Sequence, residues 1–156
     1  MNFMETEDYF KENRLDELLK ECLETFDKVN NVIEQLKGAK VNTPSQVKEN
    51  LQILGGCSGY LTDIFVLAKL YEEDYETQKF NELRIEYEKN PIVDNKGNVK
   101  SFVQGTAEKE AFEYVAIYRR LRSIVQGYIG KCSSNIGVLQ SMSKCFVSER
   151  TLNEII

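Results

Sequence analysis

Residues 107–146 read AEKEAFEYVAIYRRLRSIVQGYIGKCSSNIGVLQSMSKCF, and this stretch decides the fold. Its apolar positions recur at alternating steps of four and three: Ala107, Ala111, Tyr114, Tyr118, Leu121, Val125, Tyr128, Cys132, Asn135, Leu139, Met142 and Phe146. Asn135 is the one polar member of the series. A heptad seam of this length follows the helical period and has no strand equivalent. At about 1.5 Å per residue, forty helical residues span roughly 60 Å, far more than an ordinary globular helix. Ile117, Ile124 and Ile136 lie off the seam and widen its apolar arc. The spacing predicts a long helix over residues 106–147, opened by Gly105-Thr106 as its cap.

A helix this long needs a partner of similar length, and residues 44–90 supply one. Thr43 can cap it and Pro44 can take the first helical position, where a missing N–H costs nothing. Two stripes merge inside it, one through Val47, Leu51, Leu54, Leu61 and Phe65, the other through Cys57, Tyr60, Ile64, Leu67 and Tyr71. So broad an apolar arc calls for more than one neighbour. Gly55, Gly56 and Gly59 interrupt it, each costing roughly 1 kcal/mol of helix propensity. They predict either a kink near residues 55–56 or close backbone approach of another helix. Together with Tyr60, Ile64, Ile124 and Tyr128 they form the expected interface of a homo-oligomer built from the two long helices.

Upstream, Leu15, Leu18, Leu19, Cys22, Leu23, Phe26, Val29, Val32, Ile33 and Leu36 form a one-sided stripe, predicting an amphipathic helix over residues 8–37 that stops at Gly38. Between the long helices, residues 91–105 hold Pro91 and the turn-rich Asp94-Asn95-Lys96-Gly97-Asn98, flanked by β-branched residues, which allows a small β-hairpin at the tip. The expected architecture is therefore all-α. It is a single helical domain over residues 1–156: a long antiparallel helical hairpin plus an N-terminal amphipathic helix, packed as a helical bundle.

Composition fits that picture. The 156 residues are 42% hydrophobic and 29% charged, with two prolines, as suits a folded chain of few long helices. The first ten residues, MNFMETEDYF, do not resemble a signal peptide, and the longest unbroken apolar run, Ile64 to Ala68, is far short of the roughly 20 residues of a membrane span. A cytoplasmic protein without membrane association is expected. Cys22, Cys57, Cys132 and Cys145 lack metal-ligand spacing, and there is no histidine, so buried thiols in a reducing compartment are expected and no metal site.

Charge is uneven. Residues 1–35 hold ten acids and four bases, and residues 72–90 hold seven acids and three bases. Residues 96–131 reverse the balance, with seven bases against three acids. The bases centre on Arg119, Arg120 and Arg122, with Lys100, Lys109 and Lys131 around them. Arginine suits phosphate forks, and nearby Tyr114, Tyr118 and Tyr128 could stack on bases, a combination used by single-strand binders. The same pattern has a second reading. In a hairpin turning near residue 98, Arg119 lies opposite residue 77, so the arginines can pair with Glu72, Glu73, Asp74 and Glu76, while the tyrosines fill the seam.

No reaction is announced. The chain lacks histidine, a Gly-x-Ser-x-Gly elbow, a phosphate-binding loop and a dinucleotide fingerprint, so no enzyme, cofactor or small-molecule substrate is expected. Glu72, Glu73, Asp74 and Glu76 lack the Glu-x-x-His pairs of di-iron bundles and read as a solvated face.

The order of parts over residues 45–147 resembles the UvsY-like recombination mediators of tailed phages. The resemblance lies in the segment Gly55-Gly56-Cys57-Ser58-Gly59-Tyr60-Leu61-Thr62-Asp63-Ile64-Phe65, a charged extension, a glycine-containing tip, and a helix opening Ala-Glu-Lys-Glu-Ala and ending in Leu-Gln-Ser-Met-Ser-Lys. It implies a ring-forming protein of the host cytoplasm that binds single-stranded DNA and helps load a recombinase onto strands covered by single-strand-binding protein. The chain is acidic overall and adds an acidic first helix, unlike that family. The alternative is a phage helical module that binds a protein and no DNA, such as an inhibitor of a host or defence protein or a small virion or assembly component.

Overall fold

The computed structural model describes residues 1–38 and 42–155. The linker expectation at Ala39-Lys40-Val41 lies outside the described residues. The protein is all-α: 85% helical, in five helices, with an isolated bridge between Val93 and Val99 and no strand among the described residues.

The first helix expected from the stripe is two. α1 (Phe3–Lys11) opens on a capping box between Asn2 and Glu5, and α2 (Leu15–Lys37) follows after a reversal. At the reversal Asn13 adopts φ 55, while its N–H bonds Phe10 O at 3.3 Å and the Arg14 N–H bonds Tyr9 O at 2.7 Å. These are the two bonds of a Schellman closure, with asparagine tolerating the left-handed position. The turn places the Phe10 ring wholly inside the protein, stacked on Tyr71 and Tyr118. The Tyr71 hydroxyl donates to Glu7 at 3.1 Å, tying α1 down a second time.

α3 (Pro44–Lys89) is unbroken over 46 residues, about 69 Å of helix. Thr43 and Gln46 form its capping box, with Pro44 in the first turn as the sequence predicts. No break occurs at Gly55-Gly56, and a Cβ built on Gly55, Gly56 or Gly59 would meet nothing within 4 Å. Burial of Leu54, Cys57, Leu61 and Ile64 on the opposite face outweighs the propensity cost of the glycines. The longest unbroken apolar run in α3 is short, but its average over a longer window is higher. Averaged over 18 residues α3 reaches a mean hydropathy of 1.4, making it long and apolar enough, by length and composition, to cross a membrane. A third of that window (33%) is buried against the protein's other helices.

The third expected helix is also two. α4 (Gln104–Tyr114) and α5 (Ala116–Ile155) are separated at Val115, and α5 runs well past residue 147. The seam explains the break. Val115 is fully buried and Tyr114 is 60% exposed, so the interruption moves the inward position from Tyr114 to Val115. A straight helix drifts about 20° per heptad from a 3.5-residue seam, and a break resets that drift. Thr106 is not the cap either, since α4 begins two residues earlier, after Val103.

Between α3 and α4 the chain is pinned by its own polar groups. Asp94 accepts from the Lys96 and Asn98 N–H groups at 2.8 and 2.9 Å, and Gly97 takes φ 82 in the turn. Those N–H bonds, Asn98 first, hold the Asp94 carboxyl below its ordinary value. Phe102 folds back onto α3, its ring centroid 5.5 Å from that of Tyr87 and 6.2 Å from that of Phe80.

Two apolar clusters hold the helices together. In one, Leu61, Ile64 and Leu67 of α3 meet Leu15, Leu18 and Phe26 of α2 and Tyr118, Leu121 and Val125 of α5. In the other, Val47, Leu54 and Cys57 meet Val29 and Val32, and Cys132 and Leu139. Going from the first cluster to the second, residue numbers fall along α3 and rise along α2 and α5. α3 therefore runs opposite to both.

Burial raises the pKa of several groups. It pushes the Cys22 thiol from 9.0 up to about 12, and the Tyr71 and Tyr118 phenols from 10.0 up to about 12. Each folded value lies above the unfolded one, so the stability these groups contribute is intact below pH 9 to 10 and is lost as pH rises towards 12. Thermal melts at pH 8 and pH 11 should show a clear fall in midpoint at the higher pH. An unchanged midpoint would mean that these groups are solvated in the folded protein.

Candidate functional site

Arg119, Arg120 and Arg122 occupy consecutive directions around the start of α5, and the fold treats them differently. Arg119 Nε lies 3.1 Å from Glu72 Oε1, and Arg122 Nε lies 3.3 Å from Glu72 Oε2, an ion pair outside hydrogen-bond geometry. The Glu72 side chain is 7% exposed, the two arginine side chains 23% and 28%. Arg119 is held twice more: its Nη2 donates to Phe112 O at 3.0 Å, and its guanidinium sits 3.3 Å over the Phe112 ring. Interruption of the helix at Val115 accompanies this arrangement, because Phe112 belongs to α4 and Arg119 to α5. One carboxylate on α3 thus gathers two arginines from α5. Of the acids the hairpin register placed opposite them, Glu72 alone makes an ion pair with these arginines among the described residues.

The other bases lie apart. Arg120 points outward with no ion pair among the described residues. The Lys131 ammonium sits 4.2 Å over the Tyr128 ring, and Lys131 lies nine residues beyond Arg122, roughly 13 Å along the helix. Lys109 pairs with Glu113 at 4.0 Å. Lys100 is exposed in the loop before α4. Two of the three tyrosines are structural: Tyr118 is 5% exposed, and Tyr128 stacks on Phe26 at 4.0 Å and accepts a hydrogen bond from Asn30. Tyr114 is exposed, with the Lys79 ammonium 5.2 Å from its ring centroid.

The expected oligomer surface divides similarly. Ile64 is fully buried within the chain, Tyr60 and Ile124 pack half-buried against the first cluster, and Tyr128 spans both clusters. Gly55, Gly56 and Gly59 are on the surface. Three of the four cysteines are buried and Cys145 is exposed; all four are free. Among the described residues no group of three or more His, Cys, Asp or Glu side chains could hold a metal ion.

A feature that the charge pattern does not announce lies at the loop end. A groove of about 350 Å³ is walled by Leu83 and Tyr87 of α3, Phe102 and Val103 of the loop, and Ala107 of α4, with Glu86, Glu110 and Lys100 also lining it. Ile92, Val93, Val99 and Val103, all in the same loop, are 54–63% exposed. In the sequence these β-branched residues read as strand formers. No family model, curated protein or solved structure matches the chain.

Proposed function

We propose that this chain is a non-enzymatic helical protein-binding module, in which α3 and α4–α5 form a long antiparallel hairpin braced by α1 and α2. The observation that carries this reading is the commitment of Arg119 and Arg122 to Glu72. Two of the three arginines share one nearly buried carboxylate, so the cluster offers a phosphate backbone less free charge than its sequence suggests. The molecule's net charge of −5 acts in the same direction. What the surface offers instead is apolar: Val66 and Leu70 on α3, Val138 and Leu152 on α5, and the loop valines. Val66 and Leu70 lie one turn apart on α3, and the loop valines lie close in sequence, so these are the surfaces that a second protein, a second copy included, would cover. The reading places the protein in the cytoplasm.

The mediator reading is the second one. Arg120 and Lys131 favour it, because eleven residues bring them back to the same face of α5. Two free bases allow a slope of log affinity against log salt of about −1.4 per subunit on single strands, at about −0.7 per contact. Fluorescence anisotropy with a labelled oligothymidine in low salt separates the two. The protein-binding reading expects no saturable binding at micromolar protein. Saturable, salt-sensitive binding lost in Arg120→Ala with Lys131→Ala would overturn it in favour of the mediator.

A further inference from the structure

We propose that the groove at the loop end is a docking site for an extended peptide segment carrying one apolar anchor, with basic residues two positions away on either side. The inference rests on the protein-binding reading and assigns that reading a site. Its first support is shape and lining. About 350 Å³ is at the small end of ligand pockets, room for one large apolar side chain beside the contacting Tyr87 and Phe102 rings.

The second support is backbone. Val103, at φ −99 and ψ 98, is extended where the loop enters α4. Lys100 N–H bonds Ile92 O at 2.8 Å, but among the described residues the Ser101 and Phe102 backbones make no backbone hydrogen bond. Ser101, Phe102 and Val103 themselves line the groove, so backbone groups without a backbone partner at Ser101 and Phe102 lie beside an apolar pocket. That pairing is the arrangement of strand addition, where main-chain bonds hold the peptide and a pocket selects its side chain.

The third support is charge. Glu86 on α3 and Glu110 on α4 both line the groove, exposed and without an ion pair among the described residues, against the single base Lys100. In an extended segment, residues two apart share a face and lie about 7 Å from one another. Bases flanking the anchor at that spacing complement the two carboxylates. An acidic segment would be repelled.

The test uses the full chain and three capped pentapeptides: Lys-Ser-Leu-Ser-Lys, Glu-Ser-Leu-Ser-Glu and Lys-Ser-Ser-Ser-Lys. Amide chemical shifts report where each binds and how tightly. Expected is saturable movement of the Ser101, Phe102 and Val103 amides with the first peptide, at least fivefold weaker with either of the others. Glu86→Gln with Glu110→Gln, two exposed substitutions that leave the fold alone, should weaken the first peptide at least threefold. Equal response to all three peptides, no response, or movement confined to other residues would overturn the proposal. So would a rise in mass with protein concentration that Phe102→Ser abolishes, since the groove would then be filled by a second copy. If the first peptide fails while the chain still binds no oligonucleotide, this site falls and the protein-binding reading stands.

Discussion

Replacing Glu72 by alanine should lower the thermal midpoint by roughly 10 °C. The carboxylate is nearly buried and faces two arginines across the α3–α5 contact. Its removal leaves two partly buried guanidinium groups, one of them over the Phe112 ring, without a counter-charge. Breaking a buried pair from one side costs about 3–5 kcal/mol, and for a chain of this length each kcal/mol moves the midpoint by about 2–4 °C. The same physics makes an opposite forecast for a concerted change. Glu72→Met together with Arg119→Met and Arg122→Leu removes all three charges while keeping apolar bulk, and such replacements are often neutral or stabilising. Thermal melts of the two variants decide the matter. A midpoint loss under 2 °C for Glu72→Ala would show the carboxylate to be solvated, and the arginines would again be free to meet a phosphate.

How far the sequence carried the fold depends on which force decided each element. Helix period and burial decided α3, where Thr43 and Pro44 marked the start and the stripe marked the inward face. The two missed breaks, at Asn13 and Val115, have a common cause: each lies within a pattern that a continuous helix could also have satisfied. At Asn13 the only local cue was an asparagine able to take the left-handed position. At Val115 no turn residue is present at all. There the choice between Tyr114 and Val115 as the inward residue was made by the partner helix, which a single sequence does not display. The glycines failed in the other direction. Their propensity cost was real but small beside the apolar contacts of the face behind them.

The site was legible only as an ambiguity. Composition and spacing located the arginines and the acids that could match them, and the packing of α3 on α5 brought Glu72 to Arg119 and Arg122. Whether a long arginine side chain turns towards Glu72 or towards solvent is a matter of one or two rotamers and a carboxylate's burial. The loop groove was less legible still, because it is assembled from three segments whose approach depends on Phe102 folding back onto Tyr87 and Phe80.

The second large effect is expected at Phe10. Its ring is fully buried and stacks on Tyr71 and Tyr118, with centroids at 5.3 and 6.3 Å, so it joins α1 to both α3 and α5. Phe10→Ala removes that volume where the neighbouring rings are already held by the main helices, so the cavity cannot easily collapse. The cost should be about 3–5 kcal/mol. Two outcomes are compatible with this placement, and they differ in how the loss appears. If α1 unfolds together with the rest, the midpoint falls by roughly 10 °C, at about 2–4 °C for each kcal/mol. If α1 detaches alone, the midpoint changes little, but amide protection of residues 3–11 collapses to that of a free peptide. Detachment also wets Tyr71 and Tyr118, so their phenols should titrate closer to 10.0 than to about 12 in an ultraviolet pH titration. A variant that keeps its midpoint, its protection over α1 and its high phenol titration would show that Phe10 is not the plug between these helices.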